Sequence, residues 1–484
     1  MSRTVSRITS QKSPTLAATT PKGGNSICVA FLYGCKVGWI SAFIYSFLLN
    51  RSTPVRTSQN EISWMTSASY TSSIISVILC YNVGGKFGRK TFLRCVAILY
   101  MILWATIFFT SSMMVIIICF GMYGIASSTQ YIISYAYIGE VASPKNREII
   151  GVVYNMASTI GLLLELCLSS YFNFNMLALF PFCASIFALI MSTLMVESPY
   201  YLANKGKNEL ALRNLCFLNN RHGENEVLAD LETVREYVNE QATNQGGKTK
   251  LQIVLMPENL KLTVIMIFVS GLSAMHTSNL ITSTGVYILK DFQNYVNGNV
   301  FLNMIISTKG LLQFCSIFTI KRFNRRTLFL VGYPICGLLQ LTCGLCFYIQ
   351  SQNGNTIGWL AHVIAYLLAA HLIVNSLTYG LALELLKMEI FPYKMKEFYS
   401  SLMLFTGDWF IFAQIQSYFL LEPILGNHFW LFLYTICSFA AVSIIFFFIQ
   451  DTKGKTLLQI RTDINEELRV NTENDELESL SSKE

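Results

Sequence analysis

The chain is built from long apolar stretches separated by short polar ones. Runs of about 20 apolar residues, enough to cross roughly 30 Å of hydrocarbon as a helix, fall near 27 to 49, 62 to 82, 91 to 110, 113 to 138, 149 to 171 and 174 to 196, and again near 259 to 288, 299 to 320, 327 to 349, 358 to 386, 398 to 421 and 428 to 450. The pattern predicts an all-α membrane protein with twelve spanning helices in two sets of six. One long hydrophilic segment, about 197 to 258, separates the sets; its stretch "NEVLADLETVREYVNE" places Val227, Leu228, Leu231, Val234 and Val238 at helical spacing. The expected organisation is therefore a tail over 1–26, a bundle over 27–196, amphipathic linker helices over 197–258, a second bundle over 259–450 and an acidic tail over 451–484.

Composition strengthens this picture. Hydrophobic residues make up 53% of the 484 and charged residues only 13%, against about 25% charged in an ordinary soluble domain, and the mean hydropathy is +0.46. The first 26 residues are polar and basic with no apolar core, so no cleavable signal peptide is expected. The thirteen cysteines are scattered mostly through the apolar runs, without disulfide-framework or metal-ligand spacing, and read as packing residues. A net charge of +7 in a soluble protein would suggest nucleic acid. Here the bases sit in particular loops: Arg3, Arg7, Lys12 and Lys22 before the first run, Lys86, Arg89 and Lys90 after the second, and Lys321, Arg322, Arg325 and Arg326 after the eighth. By the positive-inside rule these loops and both termini are expected in the cytoplasm. The sequon Asn50-Arg51-Ser52 then falls outside. No cofactor, metal or nucleic-acid partner is expected; the lipid bilayer and a small solute are, and the chain is expected to act as a monomer.

Six short motifs fall in order between the runs: "GGKFGRK", "YIGEVASPKNRE", "VESPYYLANKGK", "KRFNRR", "EIFPYKMK" and "DTKGKT". Acids and bases at these helix ends can form charge-assisted bonds that close an inner gate, with Arg89, Glu140, Arg147 and Glu197 in the first half and Arg325, Arg326, Glu389 and Lys396 in the second. The alternative for any one of them is a solvated charge flanking a membrane helix. Taken in order, the motifs resemble the signatures of the sugar porter family of the major facilitator superfamily, and "VGWIS" and "EISWMTS" resemble its insect trehalose and hexose branch. The resemblance implies two six-helix bundles around a central cavity, and a multi-pass protein of the plasma membrane. The motifs are worn: Gly85 and Lys321 stand where acids are usual, and Gln450, Asp451 and Thr452 replace proline, glutamate and threonine.

The resemblance also locates a cavity whose chemistry has changed. The family reads sugar hydroxyls with amides, which donate and accept at once. Asn155 keeps such an amide, whereas the paired glutamines of span seven fall on Ile267 and Phe268, the following asparagine on Ser273 and the gating tyrosines on Thr277 and Ser278. Lys309 falls on a sugar-binding asparagine, Glu384 on a tryptophan, and Asp408 near an asparagine or glutamine of span eleven. Charge at membrane depth usually faces a cavity or a partner. For Lys309 the competing reading is snorkelling to the membrane surface, and for Glu384 a position close to the cytoplasmic helix end. Lys36 takes the place of the family's proton-coupling aspartate and Phe120 that of its arginine partner; Glu165 is either a partner for Lys36 or a solvated outward glutamate. The function implied is facilitative sugar transport by alternating access. The alternatives are transport of a charged sugar derivative or other organic ion, and a non-transporting sensor. No convergent nucleophile and base suggest an enzyme.

Overall fold

The computed structural model describes residues 24–48, 57–83, 87–141, 144–219, 257–353, 357–380 and 396–448, with isolated positions between 228 and 252 and at 382–383. Regular structure among these residues is helical. The helices are α1 (Gly24–Leu48), α2 (Gln59–Thr71), α3 (Ser73–Val83), α4 (Arg89–Phe109), α5 (Met113–Val141), α6 (Pro144–Leu168), α7 (Phe174–Leu194), α8 (Pro199–Asn204), α9 (Asn208–Asn219), α10 (Pro257–Ala274), α11 (Thr277–Ile288), α12 (Gly298–Arg322), α13 (Arg325–Gln352), α14 (Gly358–Leu377) and α15 (Lys396–Phe448).

Among the described residues, ten helical segments are long and apolar enough to cross a membrane. One of them covers 50 residues, Phe398–Phe447, or roughly 75 Å of helix, which is ample for two crossings. It is interrupted at Gly426, whose φ of 72° suits glycine because it has no Cβ, three residues after Pro423. The second expected span is divided into α2 and α3 at Ser72, in a serine- and threonine-rich stretch whose hydroxyls bond back to the helix: Thr71 to the Ala68 carbonyl at 2.8 Å and Ser73 to that of Tyr70 at 2.9 Å. The start of α2 is fixed by a capping box between Ser58 and Glu61. These features agree with twelve crossings. Span seven, expected to be continuous, is divided between α10 and α11 at residues 275–276, and Asn279 Nδ2 donates to the Ala274 carbonyl at 3.1 Å there. Polar residues crowd this break, so backbone groups freed from the helix find side-chain partners.

By contacts the chain forms two compact units: residues 1–244 with 282–317, and residues 245–281 with 318–484. In the first, α1 lies close against α6, because a Cβ at Gly34 would overlap the Ser158 carbonyl and one at Gly161 the Phe31 carbonyl. Small residues allow such backbone approach where lipid supplies no hydrophobic drive for helix pairing. In the segment after α7, Leu202, Ala211, Leu215 and Leu231 form a small core; Val227 and Val238 lie outside the described residues. Val234 is buried, whereas Leu228 is exposed. Residues 1–23, Asn50 and the acidic tail lie outside the described residues.

Candidate functional site

The first unit holds a cation in its interior. Lys36, on α1, is 1% exposed. Its Nζ donates to Ser69 Oγ on α2 and lies 5.5 Å from the ring centroid of Tyr33, 5.1 Å from Tyr70 and 5.7 Å from Tyr123. Ring faces carry partial negative charge, so three tyrosines around an ammonium offset part of what it loses on leaving water. The cage is itself fixed, since Tyr123 OH donates to the Leu32 carbonyl at 2.7 Å and stacks on Tyr100 at 4.4 Å. Phe120 packs against Trp39 and Trp104 in the same core. Glu165 fits neither sequence reading. It is fully buried, not solvated, and both carboxyl oxygens lack a hydrogen-bond partner. It lies against α1 at Gly38, where a Cβ would come within 2.6 Å of the Glu165 Cβ.

From the cage a run of hydroxyls and amides leads to Asn155. Tyr100 OH donates to Gln130 Oε1 at 2.7 Å, and Gln130 Nε2 donates to Tyr154 OH at 3.1 Å. The Tyr154 ring packs on Tyr135 at 4.9 Å, and Asn155 Nδ2 donates to Tyr135 OH at 3.1 Å and to the Gly151 carbonyl at 3.1 Å. Among the described residues Asn155 Oδ1 accepts no hydrogen bond. One turn along α6, Thr159 Oγ1 donates to Gln313 Oε1 on α12 at 2.8 Å. Lys309 lies one turn from Gln313 on the same helix, half-buried, with no hydrogen bond or ion pair among the described residues.

Charges expected at the gate of the first unit are joined. Arg89 Nη2 meets Glu140 Oε1 at 2.9 Å, with both side chains nearly buried. Glu197 Oε1 accepts from the Lys90 N–H at 3.3 Å and from the Ser198 N–H at 3.1 Å. Gly88, which precedes α4, has no side chain to cap it, and the Glu197 carboxylate occupies the space a Cβ would take. An acid from another element thus supplies the missing cap at the positive end of α4. Lys90 Nζ returns the favour at the C-terminal end of α7, donating to the Thr193 carbonyl at 2.8 Å. Asn214 Nδ2 ties α9 to the Glu197 carbonyl at 3.0 Å.

The second unit is organised around neutral groups. His276, in the break between α10 and α11, is fully buried, and its Nδ1 lies 3.2 Å from Tyr379 OH and 3.4 Å from Gln340 Nε2. Gln340 Nε2 also donates to Thr277 Oγ1 at 3.0 Å and lies 3.1 Å from His371 Nε2, while Gln340 Oε1 accepts from Ser438 Oγ at 2.8 Å. Gln414 Nε2 donates to the His276 carbonyl at 3.2 Å. Ser273 bonds the Val269 carbonyl and meets Tyr333 OH at 2.6 Å, and Tyr333 stacks on Tyr379 at 4.1 Å. Phe268 is 58% exposed, so the position matched to a family glutamine points away from this polar interior. Two of the chain's five histidines meet here.

The remaining expected residues are placed as follows. Arg325 is buried, with Nη1 donating to the Ile320 carbonyl at 3.3 Å, and Arg326 Nη2 donates to the Phe446 carbonyl at 2.6 Å. Asp408 is half-buried on α15 and engaged within the chain. Glu384 and Glu389 lie outside the described residues, as do the side chains of Arg147 and Lys396. A pairing of Lys309 with Glu384 therefore lies outside them too. Among the described residues no group of three His, Cys, Asp or Glu side chains is arranged to hold a metal ion.

Comparison with known proteins gives this arrangement a context. The trehalose transporter Tret1 of Drosophila virilis is 26% identical over 393 residues, covering 78% of this chain and 41% of the relative. Tret1 of Polypedilum vanderplanki is 23% identical over 440 residues, covering 88% and 84%. The chain thus spans less than half the length of the Drosophila virilis relative and most of the Polypedilum one. The structure of the proton:xylose symporter XylE bound to 6-bromo-6-deoxy-D-glucose superposes with a TM-score of 0.75 at 17% identity, covering 92% of this chain and 99% of that one. A partially occluded, inward-open XylE from E. coli gives 0.75 at 16% identity, covering 91% and 100%. These two establish the major facilitator fold. The sugar (and other) transporter family matches residues 26–464, nearly the whole length of the helical region, and the chain belongs to that family.

Proposed function

We propose that the chain is a facilitative transporter that moves a sugar or sugar derivative across a membrane by alternating access. The observation that carries this reading is the family match over 26–464. The hydroxyl-and-amide run ending at Asn155 supports it, because sugars are recognised by groups that both donate and accept. The insect relatives are named for trehalose, which makes a hexose or a disaccharide the first solutes to try. The reading places the chain in the plasma membrane as a monomer with both termini in the cytoplasm. Arg89, Glu140, Arg147 and Glu197 hold the inner gate from one half, and Arg325, Arg326, Glu389 and Lys396 from the other. Asn155, Ser273, Lys309, Glu384 and Asp408 face the solute. No catalytic role is assigned to any residue.

Transport on this reading is not driven by protons. Coupling needs a group that changes charge within the cycle, and at the position of the family's aspartate stands Lys36, enclosed by tyrosines. The test is counterflow of labelled solutes in proteoliposomes against a panel of hexoses, disaccharides, sugar acids and amino sugars. Saturable exchange of any of them, unchanged by a protonophore, is the expected result. Concentrative uptake abolished by the protonophore would overturn the uncoupled mechanism, and saturable binding without exchange would replace the transporter by a sensor.

A further inference from the structure

Lys309 combines three features that together ask for a ligand. It sits eleven residues into the 25-residue α12, roughly 16 to 20 Å of helix rise from either end, too deep for its stem to carry the ammonium to a membrane surface. It points inward. Met304, Leu311, Phe314 and Phe318 are each more than half exposed and form one stripe of α12, while Leu302, Ile306 and Ser316 are buried; at 3.6 residues per turn Lys309 and Gln313 fall at the centre of the buried side. And among the described residues its ammonium has neither a hydrogen bond nor an ion-pair partner, although charge at such depth is costly unless it is met.

The groups beside it show what kind of ligand would meet it. Gln313 Oε1 is taken by Thr159 at 2.8 Å, which leaves the amide N–H pair to offer. Gly310, next to Lys309, lies against the same threonine, a Cβ there standing 3.4 Å from Thr159 Cγ2. Asn155, one turn before Thr159 on α6, has its Nδ2 occupied by Tyr135 and Gly151, which leaves Oδ1 to accept. The set is rich in donors, one of them charged, with a single amide acceptor. A neutral sugar satisfies the acceptor and some donors but leaves the ammonium without a counter-charge. A carboxylate supplies that charge through bonds about twice as strong as neutral ones, and a hydroxyl on the same molecule serves Asn155.

We infer that the solute is a sugar acid, whose carboxylate is held by Lys309 and the Gln313 amide while Asn155 accepts from a hydroxyl. The inference rests on the transport reading and narrows its substrate class. The experiment is counterflow of labelled glucuronate and gluconate in proteoliposomes, with glucose and trehalose as neutral competitors. Expected is saturable exchange of the acids that the neutral sugars compete for at least tenfold more weakly. Lys309→Met should weaken acid exchange at least tenfold through KM, and Lys309→Arg should restore it. Gln313→Glu places a carboxylate one turn from Lys309, and by pairing with it should exclude the acids at least tenfold even where Lys309→Met does not fold. Preferential exchange of glucose or trehalose that Lys309→Met leaves unaltered would overturn the carboxylate inference and leave the transport reading standing. If no solute exchanges, the transport reading fails on its own; stabilisation of the wild-type protein by glucuronate in a thermal-shift measurement, absent in Lys309→Met, would still support the binding site, and no stabilisation would overturn it.

Discussion

The two compact units bury polar groups by different physics. The first encloses a charge, Lys36, and surrounds it with the faces of Tyr33, Tyr70 and Tyr123 and the hydroxyl of Ser69. In the second, the described residues gather a mesh of amide, imidazole and hydroxyl groups around Gln340 and His276. A π cage is tolerant of angle and distance but specific for sign. A hydrogen-bonded mesh is indifferent to net charge but depends on each donor finding its acceptor. Gln340 has two N–H protons and three neighbours able to accept them, and Tyr379 OH fills the remaining place at His276 Nδ1. The mesh needs His371 Nε2 as an acceptor, since a proton there would face the Gln340 amide donor to donor, and it leaves His276 Nε2 and His371 Nδ1 buried without a hydrogen-bond partner.

The sharpest way to break the comparison is to reverse the sign in the first unit. Lys36→Glu puts an anion against three ring faces, and stranding a buried charge of this kind typically costs about 3 to 5 kcal/mol. Little folded protein is expected in detergent. Lys36→Met, which keeps the length and removes the charge, should retain folded protein with a much smaller shift in thermal midpoint. Equal losses in the two variants would mean that the cage reads shape and not sign.

In the second unit the corresponding test is Gln340→Leu, which removes the donors to Thr277 Oγ1 and His371 Nε2. At about 1 to 3 kcal/mol for each buried polar group left unsatisfied, a loss of about 3 kcal/mol is expected from denaturation in detergent. Ser438 contributes little to it, because its hydroxyl lies 2.8 Å from the Tyr434 carbonyl as well. The parallel change in the first unit, Gln130→Leu, affects only two tyrosine hydroxyls and should cost about 2 kcal/mol on the same scale. A larger loss at Gln130 than at Gln340 would show that the mesh is not the more demanding construction.

Much of the fold was legible because a membrane span is written as an apolar run of sufficient length, and the runs predict the helix positions to within a few residues over most of their ends. The breaks were less so. Residues 275 and 276 contain neither proline nor glycine, and the break in span seven meets the local Asn279 amide together with partners that gather from α13, α14 and α15. The charges at the helix ends could be named from motifs, but that Glu197 caps α4 through the space above Gly88 required the packing. At the candidate site Asn155 and Lys309 were visible as polar residues within apolar runs, and Gln130, Gln313, Gln340 and His371 carried the same signal without being read. The tyrosines carried none, because a tyrosine in an apolar run is ordinary until its ring is found facing an ammonium. Glu165 shows the limit most plainly: its letter suggested a charge seeking Lys36, whereas α1 presents Lys36 to the tyrosine cage and Gly38 to Glu165.

Glu165 also supplies the smallest of the expected effects, and the one of opposite sign. A carboxyl group with both oxygens buried and no donor in reach contributes packing through its stem but forfeits the hydrogen bonds it made in water, a penalty of about 1 to 3 kcal/mol for such a group. Glu165→Leu keeps a similar volume against Gly38 and removes both oxygens, so the variant should be more stable than the parent by about 1 kcal/mol or somewhat more, read as a rise in thermal midpoint in detergent. Glu165→Gln, which keeps a polar group in the same place, should gain less. The comparison between the units sharpens accordingly: if the leucine variant is more stable, the cage around Lys36 stands without a carboxylate partner in this region. If it is less stable than the parent, Glu165 is held by the Lys36 ammonium across α1 after all, and the cage is one half of a charge pair rather than a substitute for it.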